Sequence, residues 1–259
     1  MDPLPALSVG SLPAITACPR RLARWLHPDD RPAPARFDAP FRLGNAVSQA
    51  IRTAHELLAA ETDPFGPDLD ALLDRRPPPG LATEEEARFG EAIDHYAEAF
   101  GDRPGRLHPS CGDTVELAST RVPLRLTARP DLLFVGDDGI VQWRRVLLRR
   151  RPWVTRPAES GAERLDPAAA LATALRVGEL RVVELWTVGG AQMAERVVGR
   201  GELAAFRSAL HGRVEEARAH PDATSPGWWC IGCPSLRSCP AIPQSSPVDT
   251  LGSLVVATP

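Results

Sequence analysis

The sequence predicts an α/β sandwich built around a mixed sheet, on three observations. Amphipathic helical patterns come first, a run of short β-favouring segments occupies the middle, and a helix, strand, helix succession closes the chain. A chain of 259 residues with 43% hydrophobic content has enough apolar material for one sizeable core. A single domain over residues 1–240 is therefore expected, followed by a Pro/Ser-rich tail over 241–259.

Each element has a local reason. Between Ser11 and Leu26, the residues Leu12, Ile15, Leu22 and Leu26 recur at helical intervals, and the Cys18-Pro19 step interrupts the helix. A Pro-rich loop over 28–40 leads to a stripe of Ala46, Val47, Ala50, Ile51, Ala54, Leu57 and Leu58, which predicts an amphipathic helix. A second Pro-rich loop covers 61–82, after which Thr83 and Glu86 read as a capping box opening a helix through Ile93, Tyr96, Ala97 and Phe100.

From Thr114 the pattern changes. The runs Thr114 to Thr120, Val122 to Ala128, Leu132 to Val135 and Ile140 to Leu148 predict a meander of about four strands. The turn Gly136-Asp137-Asp138-Gly139 joins the last two. Asp166-Pro167 supplies an N-cap and a first-turn proline for an Ala-rich helix to Val177. Strands over Leu180 to Val188 and Ala194 to Val198 follow, then a helix carrying Leu203, Phe206, Leu210 and Val214. This order excludes a doubly wound parallel sheet. In the tail, the apolar run Leu251 to Ala257 is a candidate to dock on the body.

All 30 basic side chains are Arg, and the net charge is -3. Any nucleic-acid surface must therefore be a local patch on an acidic background. The opening residues lack a basic region followed by an apolar one, and no stretch approaches ~18 uninterrupted apolar residues. A cytoplasmic protein without a membrane partner is expected. In a reducing compartment, Cys18, Cys230, Cys233 and Cys239 read as metal or cluster ligands in preference to disulfides, and Cys111 carries no role. Residues 228 to 240 read Trp-Trp-Cys-Ile-Gly-Cys-Pro-Ser-Leu-Arg-Ser-Cys-Pro, a C-x2-C-x5-C spacing that brings three thiolates together, with Cys18 as the fourth. Spacing alone leaves zinc and a 4Fe-4S cluster equally open.

The opening, Leu7-Ser8-Val9-Gly10-Ser11-Leu12 followed by Ala17-Cys18-Pro19-Arg20-Arg21-Leu22, resembles the start of RecB-like PD-(D/E)XK nuclease domains. Together with the terminal cysteines it resembles the iron-sulfur subgroup found in AddB-type helicase-nucleases and CRISPR-adaptation exonucleases. The resemblance implies a restriction endonuclease-like mixed sheet flanked by helices. It also implies a 4Fe-4S cluster, in preference to zinc, joining the N- and C-terminal ends.

The resemblance further implies a nuclease centre that has lost most of its residues. Ser48 stands where the family has a metal-binding His, and Ala170 and Ala174 stand near the family's Gln and Tyr. Asp131 keeps the metal-ligating Asp, whereas Gln142 and Arg144 replace the acidic residue and the Lys of the next strand. The remnant catalytic set is thus Asp131, Gln142 and Arg144. Glu116 is the one further carboxylate that would help Asp131 hold Mg2+ or Mn2+ if activity remained.

Arg144, Arg145, Arg149, Arg150, Arg151 and Arg156, with Trp143 and Trp153 between them, form the densest basic run. They are candidates, with Arg20 and Arg21, for contacts to phosphates and bases. His55, His95, His108 and His211 lie on ordinary segments and carry no expectation. The leading expectation is a cluster-stabilised, catalytically degenerate DNA-binding or scaffold protein in repair, recombination or defence, beside a helicase or an active nuclease. Its rivals are a divalent-metal-dependent DNA exonuclease and a protein-docking module without nucleic-acid affinity.

Overall fold

In a computed structural model, residues 6–27, 42–63, 65–118, 124–151, 165–227, 230, 233 and 239–241 are described. Among them, five strands form one sheet in the order β2 (Arg106–Leu107), β5 (Leu133–Val135), β6 (Val141–Leu147), β7 (Leu180–Trp186) and β8 (Gln192–Val198). A second sheet has the order β1 (Ala6–Ser8), β4 (Arg125–Ala128) and β3 (Val115–Ala118). Both sheets are mixed. β6 and β7 run parallel, with α6 (Pro167–Leu175) between them in sequence, while β5 and β8 pair antiparallel on either side. This is an α/β fold with a mixed sheet flanked by helices.

Period-two geometry sends alternate residues of the central strands into two cores. Leu133, Leu180 and Val182 join the helices α1 (Leu12–Thr16), α2 (Pro19–Leu26), α6 and α7 (Arg200–Ala219). Phe134, Val183 and Leu185 face the other way, towards α3 (Arg42–Ala60), α4 (Leu69–Leu72) and α5 (Thr83–Phe100). The predicted stripes are buried at their centres, while Leu57, counted in the α3 stripe, is 51% exposed. Val47, Ile51 and Ala54 of α3 are at most 1% exposed, as are Ile93 and Tyr96 of α5 and Val214 of α7.

Three expectations change. The four-strand meander is divided: β3 and β4 belong to one sheet, β5 and β6 to the other. The break falls at Pro130, which has no N–H to donate to a ladder, and whose carbonyl instead accepts from Gly112 N at 2.8 Å. The cap of α5 lies one residue earlier than Thr83 and Glu86 suggest. Ala82 is the N-cap, and its N–H donates to the Glu85 carboxylate at 3.0 Å. The loop over 61–82 also contains a helix, α4, whose capping carboxylate Asp68 accepts from Ala71 N at 2.9 Å.

The early helix α2 and the late helix α7 meet through ordinary backbone and helix packing. Arg20 N donates to the Ala223 carbonyl at 2.9 Å, and α2 lies against α7.

Candidate functional site

Among the described residues, Arg144, in the middle of β6, has a full set of side-chain partners. Strand alternation points it, with Gln142, to the side of Phe134 and α5, and it is only 4% exposed. Its guanidinium donates to Tyr96 Oη at 3.0 Å, to the Pro104 carbonyl at 2.8 Å, to the Arg103 carbonyl at 3.3 Å and to Gln142 Oε1 at 3.2 Å. The Phe100 and Phe134 rings lie on it, their centroids 4.1 and 4.2 Å from Cζ. A buried cation is tolerable only with such a full set of acceptors and ring faces.

Behind the clamp, Tyr96 Oη also meets His55 Nε2 at 3.0 Å, and the His55 ring leans on Phe134. Burial, reinforced by the charge of Arg144, lowers the His55 pKa to about 3, so the ring is neutral. Burial pushes the Tyr96 hydroxyl up to about 12 against the opposing pull of Arg144. Arg144 and Gln142 form part of the wall of a cleft of about 630 Å³, whose rim carries Asp102, Asp137 and Asp138.

Asp131 lies on the segment entering the strand that neighbours Arg144, one residue before Leu132, whose carbonyl accepts from Arg144 N at 3.0 Å, while the other candidates sit on separate elements. Asp131 occupies the bend before β5, where the bulk around it raises its carboxyl, opposed by Arg129 and Arg52. Its backbone carbonyl accepts from Cys111 Sγ at 3.2 Å. Among the described residues, no hydrogen bond or ion pair joins its carboxylate to Gln142 or Arg144. Glu116, on the separate three-stranded sheet, is held by Arg125 at 3.2 Å. Ser48, Ala170 and Ala174 stay on α3 and α6, the two alanines buried.

The metal expectation is corrected. Cys18, Cys230, Cys233 and Cys239 all lie within the described residues, and each is a partly buried free thiol. They are near enough that Cys233, Cys18 and Cys239 add to the upward push of burial on the Cys230 thiol. Yet among the described residues no group of three or more His, Cys, Asp or Glu side chains is arranged to hold a metal ion. This overturns the 4Fe-4S cluster, its zinc alternative and the iron-sulfur protein built on them. It also removes the Mg2+ or Mn2+ cage offered by Asp131 and Glu116. Spacing places sulfurs in one neighbourhood, whereas ligation needs deprotonated sulfurs converging at about 2.3 Å on one point.

The basic run divides by depth. Arg145 pairs with Glu184 and lies 5.0 Å from the Trp143 ring centroid. Beyond the strand end, Arg149, Arg150 and Arg151 are exposed. Neither Arg149 nor Arg150 has an ion-pair partner among the described residues, and Arg151 sits 5.2 Å from the Trp186 ring centroid. Arg150 lies over the left-handed turn at Gly189, where an added Cβ would approach its Nε to 3.4 Å. Near the N-terminus, Arg21 donates to the Ala14 carbonyl at 3.3 Å, and among the described residues the buried Nε of Arg20 has no hydrogen-bond partner. Arg156 and Trp153 lie outside the described residues.

Sequence reading missed the His55, Tyr96 and Arg144 chain. A signal was present. Tyr96 is the single Tyr of the chain and stands on the apolar stripe of α5, where its hydroxyl must find a buried partner.

No family model matches the chain, and no curated protein does. Among solved structures, it is similar to the crystal structure of SSO0001, with 11% identity and a TM-score of 0.40 over 95% of this chain and 90% of that one. No helix among the described residues is long and apolar enough to cross a membrane.

Proposed function

We propose that this chain binds the sugar-phosphate backbone of nucleic acid at the Arg149 to Arg151 corner and does not cleave it. The observation that carries this reading is the grouping of three exposed guanidiniums at the C-terminal end of β6, two of them without carboxylate partners among the described residues. On a chain of net charge -3, such a corner is a local attraction for a polyanion. The resemblance of the opening residues to RecB-like nuclease domains favours DNA as that polyanion, and it enters without the cofactor of that family.

The absence of cleavage is inferred from positions, not from composition. Hydrolysis of a phosphodiester needs a nucleophile and a charge-stabilising group converging on one phosphorus. Arg144 is turned inward on Tyr96 and two backbone carbonyls, and among the described residues no hydrogen bond or ion pair joins it to the Asp131 carboxylate.

Labelled single- and double-stranded DNA titrated by fluorescence anisotropy provides the test. Binding should weaken linearly on a log-log salt plot, with a slope of roughly -2 to -3 if about three phosphates are neutralised. It should be indifferent to chelator, and it should fall at least tenfold in the triple variant Arg149→Glu, Arg150→Glu, Arg151→Glu. Unchanged affinity in that variant, or no binding at low salt, overturns the corner. Turnover with Mg2+ or Mn2+ that disappears in Asp131→Ala overturns the non-cleaving half of the reading.

A further inference from the structure

The cleft beside Arg144, of about 630 Å³, falls within the size range of ligand sites, about 300–1,000 Å³. Phe100, Arg144 and Val183 form its buried floor, and its rim carries exposed side chains from the end of α5, the β5–β6 turn and β8. Five carboxylates and three guanidiniums line it. Arg181 is taken by ion pairs with Asp138 at 2.8 Å and Glu195 at 2.9 Å, and Arg144 by the acceptors described above. That leaves Arg103 against Glu98, Asp102 and Asp137, and none of these three carboxylates has a hydrogen bond or ion pair among the described residues.

Glu98 and Asp102 also stand at the unfavourable end of a helix. α5 ends at Phe100 with no basic residue in its last turn, so the partial negative charge of its terminal carbonyls adds to theirs. The cleft therefore holds more negative charge than the described chain compensates. Next to it, Met193, Glu195 and Val197 alternate along β8, opposite Leu185, Val183 and Arg181 of β7. Leu185 and Val183 are 1% and 3% exposed in the core that α3, α4 and α5 cover, whereas Met193 and Val197 are 50% and 42% exposed. The helix layer stops short of the last strand.

We propose that this cleft and the adjoining face of β8 dock an extended basic segment of a partner protein. Its cationic side chains meet Glu98, Asp102 and Asp137, and its apolar ones lie on Met193 and Val197. Uncompensated carboxylates select a basic occupant by charge complementarity. The apolar, acidic, apolar order along β8 selects a polypeptide over a small organic polycation, because an extended chain presents its own alternate side chains at the same repeat of about 6.6 Å. The apolar run Leu251 to Ala257 of the tail lies outside the described residues, and the site is built without it.

The reading is independent of nucleic-acid binding at the Arg149 to Arg151 corner. Its test is fluorescence anisotropy of a fluorescein-labelled hexapeptide of alternating Arg and Val, titrated with the full-length chain. Saturable binding is expected, weakened by about tenfold or more in Glu98→Gln, Asp102→Asn, Asp137→Asn and by about threefold in Met193→Ser. Removing as many charges from the first half of α5, in Glu84→Gln, Glu86→Gln, Glu91→Gln, should change it by less than about twofold. Without peptide, the cleft triple variant should melt at a higher temperature than the parent, because it relieves uncompensated repulsion. A lower melting temperature would show that the carboxylates serve the fold and would overturn the proposal. Equal weakening in the two triple variants, or no saturable binding at low salt, would overturn it too. So would displacement of the peptide by spermine at matched ionic strength, which assigns the cleft to a small polycation. Self-association seen by sedimentation in the parent and lost in the cleft variant would assign it to a second copy instead, and overturn it as well.

Discussion

Arg144 and Arg149 are five residues apart on one chain segment, share one side-chain chemistry, and live in opposite environments. Arg144 is 4% exposed, with its guanidinium enclosed by Tyr96, two backbone carbonyls, Gln142 and two phenyl rings. Arg149 stands in solvent beyond the end of β6. A run of arginines read along the sequence is a single basic patch. Placed on a strand that enters a two-sided core, it divides by depth into a structural clamp and a surface charge. The two ends of the run should therefore fail in different assays.

The largest effect belongs to the clamp. Arg144→Ala should destabilise the fold by about 3–5 kcal/mol, because it strips buried carbonyls and the Tyr96 hydroxyl of their donor and leaves a void between Phe100 and Phe134. Arg144→Lys should recover only part of this, since one ammonium cannot reach acceptors arranged for a planar fork. Urea midpoints by circular dichroism check both. A change under about 0.5 kcal/mol would mean that the enclosed guanidinium contributes nothing to folding.

The next effect is a dependence on pH. His55 has its pKa lowered to about 3 in the folded chain, against an ordinary 6.5. The unfolded chain binds the extra proton first as pH falls. Stability from this group is thus complete above about 6.5 and is lost progressively down to about 3, by up to about 1.4 kcal/mol per pH unit. His55→Phe should flatten that slope between pH 6 and 4 relative to the parent. Parallel slopes in the two proteins would show that the ring is not held neutral.

At the surface end of the run the effect moves from stability to binding. Arg149→Glu, Arg150→Glu, Arg151→Glu should weaken DNA affinity at least tenfold while shifting the urea midpoint by less than about 0.5 kcal/mol. A variant that loses stability along with affinity would merge the two ends of the run again.

What the sequence made readable was periodicity. The stripes of α3, α5 and α7 and the apolar run of β7 are local, and most of their residues are buried, Leu57 at 51% exposed being the exception on α3. What it hid was pairing partners. β1 has three residues and β2 has two, lengths at which no periodicity exists, and they are strands only because β4 and β5 lie beside them. The division of the meander at Pro130 is a tertiary event with a local cause, and that cause was visible. In the candidate site, Asp131, Gln142 and Arg144 were linked by motif spacing alone, and spacing along a chain does not say which face of a sheet a residue takes. Tyr96 and His55, which complete the arrangement around Arg144, come from two helices that the sequence separates by 41 positions.

The smallest expected effects concern the cysteines, and they separate ordinary thiols from ligands. A chain stapled at both ends by a metal centre would lose several kcal/mol on removal of the metal. Here the regions of α2 and α7 are joined by the Arg20 to Ala223 backbone bond and by helix packing, neither of which uses a thiolate. Burial together with the three neighbouring thiols pushes Cys230 up, away from the ligating form. Incubation with a strong chelator should therefore leave the thermal midpoint unmoved to within about 1 °C, which corresponds to a few tenths of a kcal/mol or less. Cys18→Ser should cost under about 1 kcal/mol, the ordinary range for a partly buried polar exchange. Cys111→Ser belongs in the same range, because a hydroxyl can still donate to the Asp131 carbonyl and accept from Leu133 N. Iron or zinc recovered in stoichiometric amount, with Cys18→Ser as damaging as Arg144→Ala, would reverse the order of the two regions and make the cysteine corner the keystone of the fold.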